Sequence, residues 1–122
     1  EKELTVYGNG NQSKDFTYVD DIANGTIKGI KLDGFEIINL GNNRPYKLNE
    51  MIGLIEKNLG KKAKIKYTPF NKADIKKTWA DIRKAKRLLK WEPKTDLPEG
   101  IRKTVLWYKR NRNFLKDIKL NP

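Results

Sequence analysis

The 122-residue chain contains no cysteine and no histidine. Those absences exclude a disulfide scaffold, a Cys or His nucleophile, a histidine general base and a zinc site of the usual ligand types. A site made of carboxylates alone stays open, but no stretch has the acidic spacing of a calcium loop. No apolar run approaches the roughly 20 residues of a membrane span. No apolar stretch follows a basic start, so no signal peptide is read and the cytoplasm is the default compartment. The chain begins with Glu1 rather than Met, which fits a fragment or a processed product. At this length it is one domain or part of one. Acidic residues are in short supply: 15 Asp and Glu face 27 Lys and Arg, a net charge of +12. Such an excess favours a polyanionic partner or a phosphate-bearing ligand. The lysines are also scattered along the whole chain, as on an ordinary solvated surface.

What is present reads as alternating strands and helices. Residues 4–7 (L-T-V-Y) are rich in β-formers and end at Gly8. Gly8 to Lys14 is a polar loop with two glycines. A helix fits Tyr18 to Leu32, with Ile22, Ala23, Ile27 and Ile30 as its apolar stripe and Asp20 and Asp21 suited to its N-terminus. Gly25 and Gly29 weaken that helix and would let it pack closely on a sheet. Residues 35–40 read as a strand, and 41–45 as a turn. Residues 48–59 form a helix presenting Leu48, Met51, Ile52, Ile55 and Leu59 on one face, with Gly60 as C-cap. Lys47 at its N-cap cannot accept a hydrogen bond, which predicts a frayed start with Glu50 lacking a partner. Residues 63–68 alternate as a half-exposed strand ended by Pro69. Asp81 is placed to cap a helix from Ile82 to Lys90, with Ile82, Ala85, Leu88 and Leu89 inward. Asp96 and Glu99 have capping-box spacing ahead of a longer helix facing inward through Leu97, Ile101, Val105 and Tyr108, and a frayed extension follows Arg112. The pattern is α/β or α+β, with too few strands for a doubly wound sheet of its own.

Three segments in order carry a resemblance. The first is Gly8 to Ile22, G-N-G-N-Q-S-K-D-F-T-Y-V-D-D-I; the second is Phe35 to Leu59, F-E-I-I-N-L-G-N-N-R-P-Y-K-L-N-E-M-I-G-L-I-E-K-N-L; the third runs from Tyr67 to Trp91, followed by Glu92-Pro93-Lys94-Thr95 and a helix bearing Trp107-Tyr108. Together they resemble the C-terminal part of the NAD-dependent sugar-nucleotide epimerases, the extended branch of the short-chain dehydrogenase/reductases, and within it the UDP-glucuronate and UDP-glucose 4-epimerase group. The resemblance covers the chain up to Arg112. It implies the end of a Rossmann sheet plus a small α/β substrate-binding domain, with residues 1–41 bordering the nucleotide-binding domain and 42–122 forming the UDP-sugar subdomain. In the complete enzyme, NAD takes a hydride from C4 of the sugar and returns it to the other face of the 4-keto intermediate. No Tyr here is followed by Lys four positions on, and Gly8-Asn9-Gly10 lacks a third glycine at cofactor spacing. NAD is therefore expected in the complete enzyme and not on this chain alone, and no catalytic residue is assigned here.

The resemblance instead implies a grip on the UDP-sugar. Thr5 and Tyr7 match a strand whose edge backbone groups bond the uracil; an ordinary edge strand is the alternative. Lys14 stands where relatives carry an Arg that forks onto the diphosphate, so the charge is kept and the bidentate geometry lost. Asn71 replaces a residue that is a phosphate-binding Arg in some members, Lys72 is placed to supply the missing charge, and Ala73 replaces a Gly, with strain if that position needs positive φ. Asp74 matches a carboxylate expected near the ribose or ordering the phosphate-binding side chain. Thr78 matches a position that approaches the sugar ring. Trp79, Trp91, Trp107 and Tyr108 read as core or interdomain packing. Asp20 and Asp21 point in different directions on a helix and read as caps rather than a catalytic pair.

Other functions compete with this one. A related UDP-sugar dehydratase or decarboxylase would reuse the same grip. A nucleic-acid module is invited by the runs Lys61–Lys66 and Arg83–Arg87, but no nucleic-acid motif is readable and nucleic acid is disfavoured as a partner. A non-catalytic remnant is the third reading. The expected partners are a UDP-sugar, the missing N-terminal nucleotide-binding half and a second copy in a homodimer, with no membrane. Alone, the chain would leave the faces of Ile22, Ile27, Ile37 and Ile38 without the rest of their sheet, which predicts self-association or marginal stability.

Overall fold

A computed structural model describes residues 3–71, 74–116 and 118. The order of elements is β1 (Leu4–Tyr7), β2 (Ser13–Lys14), α1 (Val19–Gly29), β3 (Tyr46–Lys47), α2 (Leu48–Leu59), β4 (Ile65–Thr68), α3 (Arg83–Leu89), α4 (Leu97–Arg110) and α5 (Arg112–Lys116). Two small two-stranded sheets result. β1 pairs in parallel with β4, Leu4 opposite Ile65 and Tyr7 opposite Thr68. β2 pairs antiparallel with β3, Lys14 opposite Tyr46. Parallel neighbours need a long crossover, and here that crossover carries α1, β3 and α2.

The main core lies where α1 meets α3. Ile82, Ala85, Leu89 and Trp91 are buried together, and Leu32, Ile38, Leu40 and Ala80 pack against them. The Trp91 indole N–H donates to the Asp21 carbonyl at 2.9 Å. A second layer forms where α2 runs along α4, burying Ile52 on one helix and Leu97 and Val105 on the other. α4 starts as its sequence suggests, the Asp96 carboxylate accepting from the Glu99 N–H at 3.0 Å. The reciprocal half of the capping box is not made, because the Glu99 carboxylate turns to Arg102 instead. Gly60 ends α2 in the left-handed region at φ 66°.

Several expectations are corrected. Residues 35–40 form no ladder among the described residues, because no neighbouring strand is present to pair with them. Their alternation survives: Ile38 and Leu40 reach the core while Phe35 and Ile37 are 87% and 72% exposed. α1 is shorter than expected and buries a different face. Asp21 and Gly25, one turn apart, are its buried positions, whereas Ile27 and Ile30 stand out at 61% and 79% exposure. α3 begins at Arg83 with Ile82 as N-cap, and the Asp81 carboxylate grips Arg83 through its backbone and side chain. The start of α2 does have a partner for Glu50, whose carboxylate accepts the Lys47 N–H at 2.7 Å. Past Arg112 the chain forms α5 rather than a frayed end. Of the four aromatic residues expected in the core or in interdomain packing, Trp91 is core, while Trp79, Trp107 and Tyr108 are exposed on this chain and so are not part of its own core.

Candidate functional site

The loop between β1 and β2 is anchored onto the start of α2. A helix N-terminus leaves backbone N–H groups without partners, and here the Leu48 and Asn49 N–H groups find the carbonyls of Gln12 and Gly10. The glycines of this loop have positive φ, 79° at Gly8 and 75° at Gly10. Each makes room for a side chain of the same protein. A methyl group on Gly10 would collide with the Asn49 amide, and one on Gly8 would lie 2.8 Å from the Phe70 ring. In a dinucleotide fingerprint that space admits the pyrophosphate and a helix follows; here the space is filled and β2 follows. The turn does not fit a dinucleotide, and no chemistry is assigned to it.

β2 is the meeting point of the site. On one side it pairs with β3, and on the other Ser13 bridges to Lys77, its N–H and C=O bonded to Lys76 and Thr78. That pairing draws the segment after β4 against Lys14. The Lys14 ammonium donates to the Asp74 carboxylate at 3.2 Å and to the Ile75 carbonyl at 2.6 Å. Thr78, on the same segment, accepts the Asp15 N–H at 3.4 Å. Three of the residues singled out from sequence, Lys14, Asp74 and Thr78, thus come together from positions 60 residues apart.

Thr5 and Tyr7 lie on β1. In a parallel ladder, alternate residues turn their backbone groups to opposite edges. Leu4 and Gly8 donate to Lys64 and Thr68 on the β4 side, so the backbone groups of Thr5 and Tyr7 face the other edge. There the Gln12 side-chain amide already donates to the Tyr7 carbonyl at 2.8 Å. Asn71 is exposed, and its carbonyl accepts the Asp74 N–H at 2.9 Å. The expectations for Lys72 and Ala73 lie outside the described residues.

Two open cavities adjoin these groups. One of about 480 Å³ is lined by Gly8, Asn9, Asn11, Gln12, Phe70 and Lys76. The other, also about 480 Å³, is lined by Asp15, Thr17, residues 38–41 and Thr78, Trp79 and Ala80. A larger one, about 650 Å³, sits apart between the ends of α2, α4 and α5 and holds none of the candidate residues. The first cavity offers amide side chains and the Lys76 ammonium, and the second the Asp15 carboxylate and the hydroxyls of Thr17 and Thr78.

Sequence reasoning missed two residues of this site. Gln12 holds the Tyr7 carbonyl, and Asp15 binds two loops through backbone N–H groups of Asn43, Arg44 and Ala80. Both sit inside the N-Q-S-K-D-F run, beside Lys14, and their neighbourhood to it was the available signal. Asp21 is also corrected. Its carboxylate does not cap α1 but accepts the Thr95 N–H at 2.8 Å, tying α1 to the linker before α4.

The mixed α/β fold matches that of the extended short-chain dehydrogenase/reductase epimerases over part of their length. The family model described as GDP-mannose 4,6 dehydratase matches residues 1–104. A UDP-glucuronate 4-epimerase of Thermodesulfobacterium geofontis is 51% identical over 121 residues, 98% of this chain and 38% of that protein. A UDP-glucuronic acid decarboxylase 1 of Danio rerio is 37% identical over 107 residues, 88% of this chain and 26% of that protein. Among solved structures, the UDP-glucuronic acid 4-epimerase from Bacillus cereus in complex with UDP-glucuronic acid and NAD aligns with a TM-score of 0.81 at 34% identity, over 89% of this chain and 36% of that one. The chain belongs to the GDP-mannose 4,6 dehydratase family. It spans less than two fifths of the length of these relatives, and corresponds to their C-terminal part.

Proposed function

We propose that this chain is the UDP-sugar-binding portion of an NAD-dependent sugar-nucleotide 4-epimerase. The observation that carries the reading is the convergence of Lys14, Asp74 and Thr78 around β2. In this reading the backbone of Thr5 and Tyr7 meets the uracil, whose imide offers both a donor and an acceptor. Lys14 exchanges its bonds to Asp74 and the Ile75 carbonyl for the diphosphate, a charge-assisted contact. Asp74 is then released to order a ribose hydroxyl or a neighbouring donor, Asn71 flanks the phosphates, and Thr78 borders the sugar. The hydride exchange with NAD that inverts C4 belongs to residues outside this chain. Residues 1–41 border that nucleotide-binding half, and 42–122 form the sugar-nucleotide subdomain. A cytoplasmic homodimer is the expected assembly; among the described residues no helix is long and apolar enough to cross a membrane.

The likeness to a decarboxylase supports a second reading, in which the same grip serves loss of the sugar carboxylate. The test is to purify the protein as its cell makes it and supply UDP-glucuronate. Conversion to UDP-galacturonate without gas release supports the 4-epimerase. Release of carbon dioxide with formation of UDP-xylose supports the decarboxylase. Absence of both reactions, with no binding of UDP, overturns the UDP-sugar reading altogether.

A further inference from the structure

Asp15 touches more of the site than any residue singled out for binding. One carboxylate oxygen, Oδ2, accepts from the Asn43 N–H at 3.1 Å and from the Ala80 N–H at 3.0 Å. The other, Oδ1, accepts from the Arg44 N–H at 3.4 Å, and the backbone N–H of Asp15 reaches the Thr78 hydroxyl. Two loops far apart in sequence are therefore joined through one oxygen atom. Small residues on both loops permit that approach. A Cβ on Gly41 would lie 2.9 Å from Oδ2 and would collide with the Ala80 methyl group. The turn is further locked by Asn43, which sits at φ 56° and accepts the Trp79 indole N–H at 2.9 Å. Trp79 is thus held to the turn that Asp15 grips, and Thr78 to Asp15 itself, the residue after Lys14.

We propose that Asp15 is the positioning residue of this site, fixing the Thr78 loop against the Asn43–Arg44 turn and so setting the selectivity between UDP-sugars. The inference rests on the UDP-sugar reading and deepens it. Carboxylate-to-backbone bonds are the stronger kind of hydrogen bond, and leaving the half-buried Ala80 N–H without its acceptor is costly, while the exposed Asn43 and Arg44 N–H groups turn to water. Loss of the carboxylate frees both loops at once. The sugar end of the site, where Thr78 stands, then loses its shape before the uracil end on β1 does. A purely structural role would lower stability and leave selectivity alone.

The test measures dissociation constants for UDP-glucuronate and UDP-glucose by calorimetry, on the protein as its cell makes it. It compares the parent with Asp15→Ala, Asp15→Asn and, as a control, Asp21→Asn. Asp21 is also a carboxylate holding a loop, through Thr95, but it lies away from the site. Asp15→Ala is expected to change the ratio of the two constants by about threefold or more, since small displacements of positioning groups are costly. Asp15→Asn retains one acceptor and is expected to fall between Ala and the parent; it carries the test if Asp15→Ala does not fold. Asp21→Asn is expected to lower the melting temperature while the ratio stays put. If the Asp15 variants lose stability and keep the parent ratio, the inference is overturned and the UDP-sugar reading stands. If the parent binds neither ligand, the reading itself falls and the inference falls with it.

Discussion

α1 carries two glycines one turn apart, and the structure assigns them opposite fates. Replacing a helical Gly by Ala relieves about 1 kcal/mol in a helix interior, and about 0.5 kcal/mol is a fair allowance at the last position of a helix. Gly29 is that last position, and a Cβ there meets nothing within 4 Å. Gly29→Ala should therefore stabilise by about 0.5 kcal/mol. At Gly25 the added methyl would lie 2.8 and 2.9 Å from the two Leu40 methyl groups and 3.0 Å from the Trp91 indole nitrogen. Leu40 can move only against the core formed by Ile82, Ala85, Leu89 and Trp91. Trp91 is pinned by its bond to the Asp21 carbonyl. Overpacking of this kind costs about 1–3 kcal/mol, which outweighs the gain in helix propensity. Net of that gain, the two variants should differ by about 0.5–2.5 kcal/mol, roughly 2–10 °C in Tm for a chain of this size. Urea and thermal unfolding followed by tryptophan fluorescence would read the difference. If Gly25→Ala is as stabilising as Gly29→Ala, the close approach of α1 to Leu40 and Trp91 is wrong.

Three further outcomes are expected. Lys14→Ala should weaken UDP binding about tenfold, the order of one lost charge-assisted contact, while its half-exposed pair with Asp74 contributes at most about 1 kcal/mol to stability; calorimetry with UDP and a melt on the same sample separate the two. Hydrogen bonds from the Arg83 side chain and backbone hold the Asp81 carboxyl down from 3.8 to about 2. A depressed folded-state value contributes stability above pH 3.8 that is lost as pH falls towards 2, so an NMR titration should show Asp81 ionising near 2, and Arg83→Ala, which leaves the backbone N–H in place, should raise it part of the way back. On its own the 122-residue chain should sediment as dimers or larger species through its exposed Ile27, Phe35 and Ile37, and paired Ile27→Lys and Ile37→Lys changes should shift it towards monomer; a monodisperse parent monomer would contradict this.

Local signals in the sequence were reliable where one segment decides the outcome. The helix at residues 48–59 and its glycine cap, the parallel-strand segment ending before Pro69, and the Asp96 cap are all written within a few residues. They failed where the deciding partner lies elsewhere. The apolar stripe of α1 pointed to Ile27 and Ile30 as the buried face, yet Asp21 and Gly25 face the core because Trp91, Thr95 and Leu40 stand there. Residues 35–40 alternate like a strand and have no neighbour to pair with. In the site, Lys14, Asp74 and Thr78 were legible only through resemblance. Their meeting depends on the bridge from Ser13 to Lys77, a pairing that no local pattern announces. Asp15 was overlooked because its partners are backbone N–H groups, which carry no residue identity.

The charge of the chain and the charge of the site are separate matters, and that bears on which ligand it takes. Part of the basic runs is engaged with nearby acids on the surface: Lys62 with Glu56, Arg83 with Asp81, Lys84 with Glu36 and Lys86 with Glu92. Each of those acids is held below its ordinary range, first of all by the side-chain hydrogen bond from its basic partner. At the site the cation is likewise spoken for, Lys14 being shared between Asp74 and a carbonyl. In the proposed reading, an arriving diphosphate must therefore compete with Asp74 and the Ile75 carbonyl for the Lys14 ammonium. Such binding displaces few counterions, so its affinity should fall only gently with salt. Nucleic acid bound through many phosphates would instead lose affinity steeply. A shallow salt dependence for UDP, lost in Lys14→Ala, would assign recognition to this pair; a steep one for generic DNA or RNA would return the basic runs to consideration as the binding surface.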